Sequence, residues 1–351
     1  MLQAYALQQT LLVNGFDNEI INLRTARQKK LYGSDIPGKR TFWKRILVNL
    51  VSIFYRKALK KKNELFELFL TEELILTPEY NTEEALEGNL PGYDCYIAGS
   101  DQIWNTLCFD FDRSFFLPFV HDSPKISYAV SIGGATGIEG AYEEYLRSFD
   151  LISVREESTV RVIERITGKR PQVVMDPTIL LTASQWRNKI KPAGDKKPYI
   201  LLYSPWFKDA DCGCAKKMSE KLGLPIVVTN PASRLIKYPG FRKELATGPW
   251  EFLQWVNDAQ LVICHSFHAV VFSILFHIPF FAIEGNRDKR IFHLLALCSL
   301  QDRSLSYDEL DEKGRTAFDV DFSYADKILS QERKKSIDFL LNALSNMKIK
   351  N

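Results

Sequence analysis

Apolar residues along this chain fall into short, nearly continuous runs that alternate with stretches of helical spacing. Leu2, Ala6, Leu7, Leu11 and Leu12 recur at helical spacing and predict an opening helix that stops at Asn14-Gly15. A short strand, EIINLR (19–24), should follow, and beyond a basic segment a helix over NELFELFL (63–70). DCYIAGSD (94–101), KISYAVSIGG (125–134), LISV (151–154) and PQVVMDP (171–177) read as strands, with a helix after LISV that ends near Gly168. Thr182 and Gln185 have capping-box spacing for a helix around Trp186.

The Lys/Pro-rich stretch 187–198 reads as a linker, and the alternation then restarts. YILLYSP (199–205), LPIVVTN (224–230), LVICHS (261–266) and PFFAI (279–283) are strands, separated by helices over 209–222, over GPWEFLQWVNDA with Pro249 in its first turn, and over FHAVVFSILF. Strands apolar on both faces and interleaved with helices indicate parallel sheets covered on both sides. Two such runs predict an α/β protein of two Rossmann-like, doubly wound domains. The boundaries are placed at 1–186 and 195–351, with a terminal helix (Ile337, Leu340, Leu341, Leu344 on one face) packing back.

Composition adds little to this picture: 351 residues with 46% hydrophobic and 25% charged suit an ordinary globular chain. A net charge of +3 over this length does not point to nucleic acid, and no reading motif accompanies it. The six cysteines lack paired CxxC spacing and suit a reducing compartment; Cys212 and Cys214 are expected as free surface thiols. No secretory signal and no bilayer-length apolar run is evident, so a cytoplasmic protein is expected. Neither a metal-ligand constellation nor a Walker or GxGxxG loop occurs, and neither metal nor nucleotide cofactor is expected.

In doubly wound folds ligands bind beyond the carboxyl ends of the strands, where helix N-termini present N–H groups. That rule selects Ser100 and Asp101, Ser131 to Gly134, Arg155 with Ser158, Tyr203 and Ser204, Thr229 and Asn230, and Ser266 to His268.

The same strand ends carry a resemblance. LQAYALQQTLLVNG, LFELFLTEEL, DCYIAGSDQIWN, KISYAVSIGG, FDLISVREEST, VVMDPTILL, the stretch from Gly248 to Phe281, and RIFHLLALCSLQDR occur in the order found in the polysaccharide pyruvyl transferase family, over about residues 1–303. The chain resembles that family, whose members are similar in fold to the two-domain GT-B glycosyltransferases. The resemblance implies transfer of the enolpyruvyl group of phosphoenolpyruvate onto two hydroxyls of a sugar, as a pyruvate ketal in a bacterial surface polysaccharide or its lipid-linked precursor. It places the acceptor with the N-terminal domain and phosphoenolpyruvate, a substrate rather than a cofactor, with the C-terminal one. Two features depart from the pattern. The chain opens at the LQAYAL helix, where family members usually have a preceding strand, so the first strand of the N-terminal sheet is expected to be missing. In CHSFHA, His265 and Ala269 replace the residues usual beside Ser-Phe-His.

Ketal formation needs cations and N–H groups for carboxylate and phosphate, and a group that exchanges protons near neutral pH. With the family in view, His268 fits, in the first turn after the expected N-cap Ser266; the alternative is a buried helix histidine bonded to a carbonyl. Arg155 either holds the anion or pairs with Glu156 or Glu157, and Arg290 is a second cation or an exposed helix charge. Asp101 either accepts a proton from a sugar hydroxyl or caps the next helix, while Asp176, before Pro177, reads as structural. Ser100, Ser158, Ser266 and Phe267 complete the candidate binding set. His277 reads as core or as a helix C-cap. The segment 38–62, with nine Lys/Arg and no acid among aromatic residues, is read as a basic surface or as a peripheral contact with the inner face of a membrane. Two further readings compete: a nucleotide-sugar glycosyltransferase on the same fold, and a non-catalytic family member serving in binding or assembly.

Overall fold

The computed structural model describes residues 1–32, 42–192, 197–205, 207–229 and 238–348. In the first half, helices α1 (Leu2–Val13), α2 (Ala26–Tyr32), α3 (Phe42–Glu73) and α4 (Glu83–Asn89) precede a parallel sheet. Its strands β1 (Tyr96–Asp101), β2 (Lys125–Val130), β3 (Leu151–Val154) and β4 (Gln172–Val173) lie side by side in chain order. Helices α5 (Glu143–Arg147) and α6 (Glu157–Thr167) connect them, and α7 (Pro177–Leu180) and α8 (Ala183–Arg187) lead out. All six residues of β2 are buried, as a parallel strand covered on both faces requires.

The second half contains β5 (Ile200–Tyr203), α9 (Asp209–Leu222), β6 (Ile226–Thr229), β7 (Arg242–Glu244), α10 (Pro249–Asn257), β8 (Leu261–Cys264), α11 (Phe267–Phe276), β9 (Phe280–Ile283), α12 (Lys289–Leu297), β10 (Ser304–Leu305), α13 (Tyr307–Glu312) and α14 (Ser323–Lys348). Its six parallel strands run β7-β6-β5-β8-β9-β10. That is the 3-2-1-4-5-6 order of Rossmann sheets, and it reverses between β5 and β8, where such sheets open a crevice at their carboxyl ends. The expected caps form: Thr182 and Gln185 make the capping box of α8, Pro249 opens α10, and the Ser266 side chain accepts from the Ala269 N–H at the start of α11.

α14 leaves the second half and packs on the first sheet. Leu340, Ala343, Leu344 and Met347 cluster with Ile126 and Tyr128 of β2. The Met175 N–H donates to Ser336 Oγ at 2.9 Å, and Arg333 Nε donates to the Ile179 carbonyl at 2.6 Å. α1 is shared as well. Its Leu7 and Leu11 belong to that cluster, while Leu2, Tyr5 and Ala6 join a core that reaches Trp186, Phe272 and the second sheet. Trp186 is fully buried, lies edge-on to Phe272 with centroids 5.2 Å apart, and donates Nε1–H to the Thr178 carbonyl at 2.9 Å.

Three sequence expectations change. EIINLR forms bridges rather than a strand, pairing at Ile20 and Leu23 with Leu76 and Tyr80. A cleft of about 540 Å3 separates Ile20, Ile21 and Leu23 from β1, the edge strand of its sheet among the described residues. Cys212 and Cys214 are buried rather than exposed thiols, because they lie on the inner face of α9; burial pushes both up to about 11. α3 runs through the basic segment into NELFELFL as one helix. The reading of 38–62 as a membrane contact falls largely outside the described residues: 38–41 are outside, and side chains are described only from Lys57 onward. No described helix is long and apolar enough to cross a membrane.

Because Trp186 joins α1, α8 and α11 around one indole, Trp186→Ala should destabilise the protein by about 3–5 kcal/mol. A correspondingly lower urea midpoint, followed by circular dichroism, checks this; an unchanged midpoint would refute the seam.

Candidate active site

Six of the residues selected from the sequence, Ser100, Asp101, Arg155, Phe267, His268 and Arg290, converge where β1 and β3 of the first sheet face the start of α11 in the second. The residue at their centre is Asp176, which sequence reasoning had set aside as structural. It is 1% exposed and performs that structural role, since Oδ1 accepts from the Thr178 N–H (3.0 Å) and hydroxyl (2.7 Å) to cap α7. Its other oxygen, Oδ2, faces the site. It accepts from Arg155 Nη1 at 2.6 Å and Ser100 Oγ at 3.4 Å, with His268 Nε2 at 3.8 Å. The signal that could have found it was its place at the end of the fourth strand of the sheet.

Arg155 directly follows β3 and is 3% exposed. Its partner is Asp176 rather than the exposed Glu157; Glu156 lies 3.7 Å away and Asp101 3.4 Å. Burial disfavours its charge, but Asp176, Asp101 and Glu156 outweigh that and hold the guanidinium above its ordinary value. Burial likewise pushes Asp176 up, yet His268 and Arg155 prevail and keep it well below the usual carboxylate range. Arg155 also lies over the Phe267 ring at 4.6 Å, and Arg290 lies over the same ring at 5.7 Å. One phenyl group therefore holds two guanidiniums that would otherwise repel.

Arg290 is not an exposed helix charge. It pairs with Asp288 at 2.6 Å, approaches Asp101 at 3.8 Å, and donates to the Gln102 amide oxygen at 2.7 and 3.1 Å when that amide turns toward it. Gln102 was missed because nothing in GSDQIWN distinguishes it from a turn residue. Asp101 does not cap a helix. It lies two residues after Gly99, where a Cβ would lie 2.1 Å from the Tyr128 carbonyl oxygen, and it adopts φ 78°, a conformation costly for a non-glycine residue and common at functional sites. Against the cost of burial, His268, Arg155 and Arg290 hold its carboxyl below its ordinary value.

His268 sits in the first turn of α11, and its Nε2 is buried without a hydrogen-bond partner among the described residues. It does not donate to a carbonyl. Ser158 Oγ, in the first turn of α6, is likewise buried and unpartnered, and Ser266 is occupied as the N-cap. His277 lies away from these groups as the left-handed C-cap of α11. Its ring is half exposed rather than in the core, stacked on Phe322 and bonded to Asp326 at 2.8 Å.

An imidazole with a free buried nitrogen, backed by a carboxylate and flanked by two guanidiniums at a helix N-terminus, can bind an anion and move a proton beside it. The family model described as polysaccharide pyruvyl transferase matches residues 1–287. The chain belongs to that family. Membership makes this a transferase whose acceptor is a polysaccharide or sugar. No curated protein sequence matches it. Among solved structures, UDP-GlcNAc 2-epimerase from Methanocaldococcus jannaschii is similar over 98% of this chain and 96% of its own, at 12% identity and a TM-score of 0.52. UGT89C1 of Arabidopsis thaliana complexed with quercetin is similar over 99% and 96%, at 8% identity and TM-score 0.47. A UDP-N-acetylglucosamine 2-epimerase of Listeria monocytogenes is similar over 93% and 91%, at 10% identity and TM-score 0.44. The likeness to the first is one of fold, the two-domain GT-B type, which this family member shares.

Removing Arg155 would leave Asp176 buried without its cation, so Arg155→Ala should cost about 3–5 kcal/mol. The folded-state value of Asp176 lies below its unfolded one, near 3.9. Its stabilisation is therefore present above about pH 4 and lost as pH falls further. Asp176→Asn should flatten that acid limb in urea midpoints measured between neutral pH and pH 3; an unaltered limb would count against the pair.

Proposed function

We propose that this protein transfers the enolpyruvyl group of phosphoenolpyruvate onto two hydroxyls of a sugar, as a pyruvate ketal, in a bacterial surface polysaccharide or its lipid-linked precursor. The observation that carries the reading, on top of family membership, is the unpartnered Nε2 of His268, held 3.8 Å from Asp176 beside the guanidinium pair on Phe267.

The first step requires a proton at C3 of the donor and a hydroxyl oxygen at C2; the second expels phosphate as the other hydroxyl adds. His268 is the proton carrier for C3, with Asp176 pairing the imidazolium that forms as the first hydroxyl gives up its proton. Arg290, 14% exposed, is the guanidinium open to the donor, and it exchanges Asp288 and Asp101 for the donor's carboxylate or phosphate. Arg155 stands behind it and fixes Asp176. Ser158 and the first N–H groups of α11 supply further donors to the anion. Asp101 faces both guanidiniums from the end of β1, and in this reading it orients an acceptor hydroxyl.

His268→Gln should lower ketal formation by about 100-fold or more while keeping the thermal shift produced by phosphoenolpyruvate. Arg290→Ala should weaken that shift. Mass spectrometry of candidate glycosides incubated with phosphoenolpyruvate, scored for ketal and released phosphate, is the test. Absence of ketal with the wild type, or protection by nucleotide sugars instead, would reject the reading.

A further inference from the structure

Three residues before His268, a second imidazole occupies the crevice where the strand order of the second sheet reverses. His265 follows β8, and its N–H donates to the Tyr203 carbonyl at the end of β5 (3.1 Å), so it bridges the two strands on either side of the switch point. Its Nε2 lies 2.8 Å from Oδ1 of Asp211, a fully buried carboxylate of α9. Asp211 also accepts from the Tyr307 hydroxyl at 2.8 Å and, through Oδ2, from the Lys208 N–H at 2.8 Å. These partners and His265 outweigh the effect of burial and hold Asp211 below its ordinary value, so it remains a carboxylate.

A carboxylate only accepts hydrogen bonds, so Nε2 carries the hydrogen and Nδ1 keeps the lone pair. Nδ1 has no hydrogen-bond partner among the described residues and does not belong to their buried unpartnered atoms, and the ring is 18% exposed. A ring fixed in one tautomer and orientation by a buried carboxylate, with its basic nitrogen unclaimed, is the arrangement of a general base. Packing alone does not require it, since Asp211 is already bonded to Tyr307 and Lys208. The charged and titratable groups around the pair are Asp211 and Lys208 at the start of α9 and Tyr307 of α13, with Glu284 after β9 and Cys214 of α9 beside Tyr307.

We propose that His265, oriented by Asp211, is the second proton carrier of the site and takes the proton of the hydroxyl that closes the ketal. This rests on the pyruvyl transfer reading, which requires two hydroxyls to lose protons. The proton of the first passes to C3 of the donor. In the closing step the C2–O bond to phosphate breaks with its electron pair on the departing phosphate. The second hydroxyl oxygen bonds to C2, its O–H bond breaks, and the proton goes to His265 Nδ1 and then to phosphate, which leaves as hydrogen phosphate. Tyr307, acting through Asp211, is a positioning residue.

The test compares wild type, His265→Gln, His268→Gln and Tyr307→Phe with phosphoenolpyruvate and an accepted glycoside in D2O. It follows ketal, phosphate and deuterium entering C3 of unreacted donor. In His265→Gln the amide still reaches Asp211; ketal formation should fall by about 100-fold or more, with the donor's thermal shift and its deuterium uptake retained. His268→Gln should lose both ketal and uptake. Tyr307→Phe leaves Asp211 one donor fewer and should lower kcat for ketal formation while leaving KM for phosphoenolpyruvate and the deuterium uptake unchanged. Ketal formation by His265→Gln near the wild-type rate overturns the role of His265 and leaves pyruvyl transfer standing. A wild type that forms no ketal overturns both.

Discussion

The ion pair between Arg155 and Asp176 is the contact on which the site depends. Both partners are buried, and neither charge is tolerable there without the other. Asp176 uses one oxygen to start α7, the first helical turn on the path out of the first sheet, and the other to receive Arg155 and face His268. The exit of the chain from one sheet and the chemical group on the other are thereby set by a single carboxylate. Arg155 extends the constraint across the interface by lying on Phe267, the first residue of α11.

Electrostatics of this kind explain how several carboxylates and two guanidiniums share one site. Each acid of the cluster is matched by a cation or a backbone N–H, so the guanidiniums are pre-positioned rather than neutralised at random. Arg290 has the most to exchange, being held by Asp288, Asp101 and Gln102 together at the mouth of α12.

Much of the fold was legible because its determinants are local. Strands buried on both faces announce themselves as apolar runs, and Thr182, Ser266 and Pro249 mark helix starts by their own chemistry. The strand-end rule then found Asp101, Arg155 and His268 without any knowledge of contacts. What it missed depends on partners distant in sequence: Arg155 and Asp176 are 21 residues apart, His265 and Asp211 are 54. Asp176 shows why such residues hide. Its local reading, an aspartate capping a helix at a proline, is correct, and a correct local reading gives no reason to look for a second role. EIINLR failed in the opposite direction, having the composition of a strand but only two bridges to pair with.

The return of α14 to the first sheet has a mechanical consequence. The chain crosses between the two halves twice, once after α8 and once at the start of α14, and the second crossing is anchored by Ser336 and Arg333. Two such tethers, with α1 shared between the cores, limit how far the sheets can separate, and with them the distance between Asp101 at the end of β1 and His268 at the start of α11.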